Sequence, residues 1–159
     1  MKRVFIAVVA LACATMVTSC NGKKATITQG DPAKMDSLSY CMGVNVGSSV
    51  KMQLSDVPFS LEEIEKGVAA GLTKTAEQSH EEAIEILQEF FAMQLGERRQ
   101  AIKMYAADST SSATAPQIFE NTDECNSVSY AFGNDLGTNM RSSKLPLQIY
   151  WFQKGFNDS

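Results

Sequence analysis

Apolar residues recur at three- and four-residue steps along much of the chain, the spacing that gathers them on one side of an α-helix. Met35, Leu38, Met42, Val46, Val50 and Leu54 follow it and predict a helix from about Met35 to Leu54, with Gly43 and Gly47 on one stripe. A glycine inside a helix costs about 1 kcal/mol against alanine, so a pair four apart points to close backbone contact with another helix. A second helix is predicted from Ser60 to near Gly71, with Ile64, Val68 and Leu72 on its core face. Its start carries a full set of signals: Ser60 to cap, Glu63 to reach back to the Ser60 amide, and Phe59 to staple onto Ile64. Ser79 and Glu82 form another capping box and open a long helix to about Ala106, striped by Ile84, Leu87, Phe91, Leu95, Ile102 and Tyr105. At about 1.5 Å per residue it is about 40 Å long. Two short helices cannot cover that length, so part of the stripe calls for the second half of the chain or for another chain.

The second half repeats the first. Ser37-Leu38-Ser39-Tyr40-Cys41-Met42-Gly43 returns 90 positions later as Ser127-Val128-Ser129-Tyr130-Ala131-Phe132-Gly133, and Gly47 returns as Gly137. Two residues then drop out, so Val57-Pro58-Phe59 aligns with Leu145-Pro146-Leu147 and Lys66-Gly67 with Lys154-Gly155, at an offset of 88. Self-similarity of this kind marks a duplicated unit. Ala106 to Pro116 is rich in Ser, Thr and Ala with no apolar period and reads as a linker. In the second unit Gln148, Tyr150 and Trp151 stand where the first has its capping box, so the local start signal is weaker. By alignment, Ser159 falls where the first unit still has its last turn and its long helix to come, so the second unit is expected to be incomplete.

Charge and cysteine count narrow the chemistry. Lys plus Arg number 14 and Asp plus Glu 18, a net charge of −4 with no basic block, which argues against nucleic acid as a partner. One histidine, four cysteines, no CxxC and no HExxH give no basis for a metal site, and no motif asks for a cofactor. Lys2 and Arg3 followed by an apolar run from Val4 to Val17 read as an export signal, too short to span a membrane. The run ends in Val17-Thr18-Ser19-Cys20, which resembles the lipobox of bacterial lipoproteins, and that resemblance implies that Cys20 becomes a lipidated N-terminus. The remaining charge is then 12 against 18, or −6. Cys41 and Cys125 remain, either as a pair or as two buried small hydrophobes.

The ordered set Ser-x-Ser-Tyr-x-x-Gly-x-x-x-Gly, a proline turn, a second helix with Lys-Gly and a long helix resembles the N-terminal domain of FKBP-type peptidyl-prolyl isomerases of the macrophage infectivity potentiator kind. The resemblance covers Met35 to about Ala106 and again Ser127 to Asp158. It implies an all-α fold, a homodimer, and protein folding in the cell envelope. It also implies packing or dimerisation positions at Tyr40, Gly43, Gly47, Gly67, Phe91, Tyr130, Gly133, Gly137 and Gly155, none of them catalytic. The expected organisation is a signal peptide over 1–19, a tether over 20–33, a first unit over 34–106, a linker over 107–122 and an incomplete second unit over 123–159.

The catalytic domain of that family needs several period-2 segments separated by glycine turns, and no such segment occurs in the chain. Tyr150-Trp151-Phe152 reads as a core stripe with exposed neighbours rather than a proline pocket. His80, among Glu81, Glu82 and Glu85, reads as a solvated helix start, and the acidic clusters as first turns favoured by the helix dipole. The expectation is therefore a non-catalytic, lipid-anchored helical module, facing the periplasm from the outer membrane, that holds unfolded or proline-containing exported proteins between long helices bearing Phe90, Phe91 and Met93. Two alternatives stand beside it: the front of an active isomerase whose catalytic domain lies beyond residue 159, and a helical lipoprotein scaffold with no folding role.

Overall fold

The computed structural model describes residues 32–108, 114–144 and 147–159, and the signal segment, Cys20 and Pro146 lie outside them. The described residues form only helices: α1 (Pro32–Gln53), α2 (Leu61–Thr73), α3 (His80–Gln88), a π-helical turn (Glu89–Gln94), α4 (Leu95–Ala107), α5 (Thr122–Ser142) and α6 (Ile149–Asp158). The chain is all-α, as its periodicity requires. No helix among the described residues is long and apolar enough to cross a membrane.

The repeats do not pack as two separate bodies. Helix α1 lies against α6, and α2 lies against α5, so the first helix of each repeat takes the second helix of the other. One core results, drawing Met42 from α1, Ile64 and Val68 from α2, Leu136 and Met140 from α5, and Phe152 and Phe156 from α6. The register keeps the repeat: Ile64 and Phe152, Val68 and Phe156, Val46 and Leu136, and Val50 and Met140 are matched pairs at offsets of 88 and 90. Where α1 offers valines, α6 offers phenylalanines; where α5 offers leucine and methionine, α2 offers isoleucine and valine. Each helix pair thus mixes larger with smaller side chains, as close packing demands.

The long helix is continuous but not uniformly α. Ser79 accepts from the Glu82 N–H (3.2 Å), and the Glu82 carboxylate accepts from the Ser79 N–H (2.7 Å), which completes the expected capping box. The π turn then inserts wider spacing. Phe90 becomes the fully buried residue of this stretch while Phe91 stays half-buried. A second core cluster forms there from Val57, Phe90, Leu95, Ile118, Phe119 and Val128. Ile118 and Phe119 belong to the segment read as the end of a linker. They instead strap the long helix to α5, with the Phe119 ring stacked on Phe90 at 5.0 Å.

Candidate functional site

The glycines of both repeats lie where the paired helices cross. A methyl group at Gly43 would overlap the Phe152 carbonyl, and one at Gly133 would overlap the matching Ile64 carbonyl. Gly67 meets the Tyr130 carbonyl, and Gly155 meets the matching Tyr40 carbonyl. Gly47 and Gly137 face Phe156 and Val68 in the same way. These contacts explain why a residue unfavourable to helices recurs in both units: only a bare Cα lets the backbones approach this closely.

Polar contacts repeat with the same symmetry. The Ser39 hydroxyl, fully buried, accepts from the Gln148 N–H (2.8 Å) and donates to the Met35 carbonyl (2.7 Å). Its counterpart Ser129, equally buried, accepts from the Ser60 N–H (3.0 Å). Each serine thus satisfies a backbone donor at the start of a helix in the opposite repeat, a group that is otherwise left without an intrahelical partner. At the far ends, Lys51 donates to the Ser159 carbonyl and Arg141 to the matching Gly71 carbonyl, placing a cation at the carbonyl end of each partner helix. Ser39, Ser129, Lys51 and Arg141 are interface residues that sequence reasoning missed. Ser39 and Ser129 were visible as repeated letters, but their partners lie 109 and 69 positions away.

This arrangement alters the expected start of α2. Ser60 does cap, accepting from the Glu63 N–H at 3.4 Å, but the Ser60 N–H goes to Ser129 and the Glu63 carboxylate to Lys66. The reach-back is supplied by the other repeat. Phe59 stacks on Phe132 at 5.6 Å and lies 6.5 Å from Phe91 and 6.1 Å from Phe119, so it joins both clusters. The tyrosines close the flanks: the Tyr40 hydroxyl donates to Asp158 (3.1 Å), and the Tyr130 hydroxyl accepts from the Glu77 N–H (3.3 Å). The hydrogen bond to Asp158 pushes the Tyr40 phenol above its ordinary value.

The long helix is held by arginines. Arg98 donates to the Ile118 carbonyl (2.7 Å) and to both oxygens of Glu124 (2.7 and 2.8 Å), with its guanidinium 5.9 Å above the Phe90 ring. Its hydrogen bonds hold the Glu124 carboxyl below the usual range, against the opposing effect of burial. Arg99 makes a two-pronged pair with Asp56 (2.6 Å each) and lowers the Asp56 carboxyl in the same way. His80 is not simply solvated: its Nε2 lies 2.8 Å from Asp135 Oδ1 and ties the start of α3 to α5.

Phe152 is in the core, Tyr150 is mostly exposed and Trp151 is half-buried, so the three aromatics line no common pocket. Among the described residues, no group of three His, Cys, Asp or Glu side chains could hold a metal ion. Cys41 and Cys125 are both free thiols, and neither is a buried hydrophobe: Cys41 is exposed and Cys125 half-buried, its Sγ donating to the Pro58 carbonyl at 3.3 Å. Of the three residues expected to face clients, Phe90 is buried, Phe91 is half-buried and Met93 is exposed.

In a comparison with known families, residues 35–115 fit the family described as the domain amino terminal to FKBP-type peptidyl-prolyl isomerase. The match spans the first repeat and the long helix. Searches among curated proteins and among solved structures gave no match.

Proposed function

Because the chain belongs to the family of domains amino-terminal to FKBP-type peptidyl-prolyl isomerases, we propose that it is the non-catalytic helical module of a cell-envelope lipoprotein that assists protein folding. In this reading each repeat serves the other as a second subunit. The observation that carries it is the interlocking itself: the glycine faces at Gly43, Gly47, Gly133 and Gly137, through which a homodimer was expected, are filled by helices of the same chain. An exposed apolar side remains on the long helix, where Met93 and Met104 are 68% and 65% exposed. Lipid on Cys20 would anchor the module, and the tether over 20–33 would let it meet unfolded or proline-containing exported proteins on the periplasmic side of the outer membrane.

The test is a pair of assays on the purified chain. Suppression of aggregation of a denatured substrate, with no gain over the uncatalysed rate of proline isomerisation, supports a holding role. Isomerisation above background would overturn the non-catalytic reading, and neither activity would leave a scaffold. Light scattering beside them is expected to give the mass of one chain.

A second reading is favoured by the family's own position, amino-terminal to an isomerase domain. The chain would then be the front part of an active peptidyl-prolyl isomerase, and an open reading frame past the codon for Ser159 into alternating strands is the finding that would establish it.

A further inference from the structure

The two halves give their matched tyrosines different partners. In the α1–α6 half the Tyr40 hydroxyl (3.1 Å) and the Lys154 ammonium (2.9 Å) donate to the same oxygen, Oδ2 of Asp158. The repeat carries Tyr40 onto Tyr130, Lys154 onto Lys66 and Asp158 onto Ala70. The backbone frame around the two sets is alike, because Gly67 meets the Tyr130 carbonyl as Gly155 meets that of Tyr40. The α2–α5 half thus keeps the tyrosine and the lysine but has a methyl group at the position of the acceptor. A groove of about 620 Å³ opens there, lined by Lys66 and Ala70 of α2, Tyr130 of α5, and Glu77 and Gln78 of the connector between α2 and α3.

Both donors keep a proton for a ligand. The Tyr130 hydroxyl accepts from the Glu77 N–H (3.3 Å), and no described residue accepts its own proton. Lys66 gives two of its three N–H bonds to Glu62 (2.8 Å) and Glu63 (2.7 Å). The matched places in the other half hold Tyr150 and Trp151, so Lys154 has no such glutamates and turns to Asp158. The acidic residues also set what the groove accepts. Glu63 and Glu77 line it, so a ligand with a second, negatively charged oxygen is repelled, while an N–H in that place is attracted. Gln78 Oε1, buried in the same wall, has no donor among the described residues.

We propose that this groove is a binding site for a carboxamide group, the side chain of an asparagine or glutamine in a client polypeptide. The amide oxygen takes the part that Asp158 Oδ2 plays in the other half, accepting from Tyr130 and Lys66, and the amide nitrogen donates to the acidic wall. The client as the source of that group rests on the holding reading above, whereas the choice of a carboxamide rests on the groove alone.

Acetamide and acetate have the same shape and differ in what the acidic wall permits, so they are the probes. In an isotope-labelled chain, the NMR signals of the Ala70 and Glu77 amides are expected to shift saturably with acetamide, half-way at about 10–100 mM for a group of so few atoms. Acetate at equal ionic strength is expected to leave them in place. Tyr130→Phe, which keeps the ring, is expected to remove the acetamide response. Glu62→Gln with Glu63→Gln releases Lys66 and is expected to turn the preference to acetate, by about three- to tenfold. Absence of a saturable shift with acetamide, a shift that survives Tyr130→Phe, or an equal response of the parent chain to acetate overturns the site. Aggregation assays keep the two claims apart. A chain that binds acetamide but suppresses no aggregation retains the carboxamide site and loses the client as its source. One that suppresses aggregation without binding acetamide retains the client reading and loses the site.

Discussion

The α2–α5 half and the α1–α6 half of the molecule share glycine crossings, buried serine contacts and cations at the helix ends, but they differ in what lies over them. The first half is overlaid by α3, braced by the π turn and strapped by Ile118 and Phe119. The second, among the described residues, has no such cover on α1. The comparison teaches which features belong to the interlock and which belong to the long helix. The shared ones all end on backbone groups; the unshared ones join side chain to side chain, where Ala131 and Asp135 stand opposite Cys41 and Asn45 in the other half.

The sharpest way to break that comparison is to remove the overlay from one half. Phe90→Ala deletes a fully buried ring against Phe119 and Phe91, and a loss of about 3–5 kcal/mol is expected in denaturant unfolding. Cooperativity should fall as well, with the strap opening before the interlock, as hydrogen exchange would show. Next come the crossings. Gly133→Ala and Gly43→Ala force a methyl against a backbone carbonyl in matched places and should each cost about 1–3 kcal/mol, despite the better helix propensity of alanine. Gly96→Ala, at a helical glycine with open space around it, should instead gain up to about 1 kcal/mol, so opposite signs in thermal melts separate crossing glycines from incidental ones.

Smaller effects test the polar contacts. Ser129→Ala and Ser39→Ala each remove the acceptor of a part-buried backbone N–H and should cost about 0.5–1.5 kcal/mol; near-equal losses would mean that the overlay does not reinforce its half. Glu124 gives a pH signature. Its carboxyl is held below the ordinary range in the folded chain, so the unfolded chain takes up the proton first. That stabilisation is fully present above the unfolded value of about 4.3 and is lost as pH falls towards the lower folded value. Glu124→Gln should therefore flatten the stability curve below about pH 4 while leaving the Asp56 contribution, read in an Asp56→Asn chain.

Much of this fold was legible in advance, and what was not has physical causes. Helix positions followed from apolar period and caps, because those are local; α3 begins at the capping box that Ser79 and Glu82 announce. The partners of each helix were not legible. A glycine stripe on α1 fits a glycine stripe on α2 or on α6 equally well, since the two are copies, and nothing local distinguishes pairing within a repeat from pairing between repeats. The π turn escaped because one extra residue shifts an apolar stripe without erasing it, which moved burial from Phe91 to Phe90. Ile118 and Phe119 escaped because two apolar residues after a Ser/Thr-rich stretch make no period. As for the candidate site, the glycines and tyrosines could be named from their recurrence, while the serine contacts that join the two repeats emerge only from the fold.

The interlock also imposes an order on how the chain comes together. Its pairings are nested, with α2–α5 inside α1–α6: Ser60 finds Ser129 across 69 positions, while Ser39 finds Gln148 across 109. The inner pair closes the smaller loop, and once it has docked the outer helices hang on the short connectors 54–60 and 143–148, so most of their closure entropy has already been spent. A chain threaded out of a cell from its first residue would expose α1 long before α6 emerges to cover it. For that interval, a protein proposed to shelter unfolded clients is itself in a client's position.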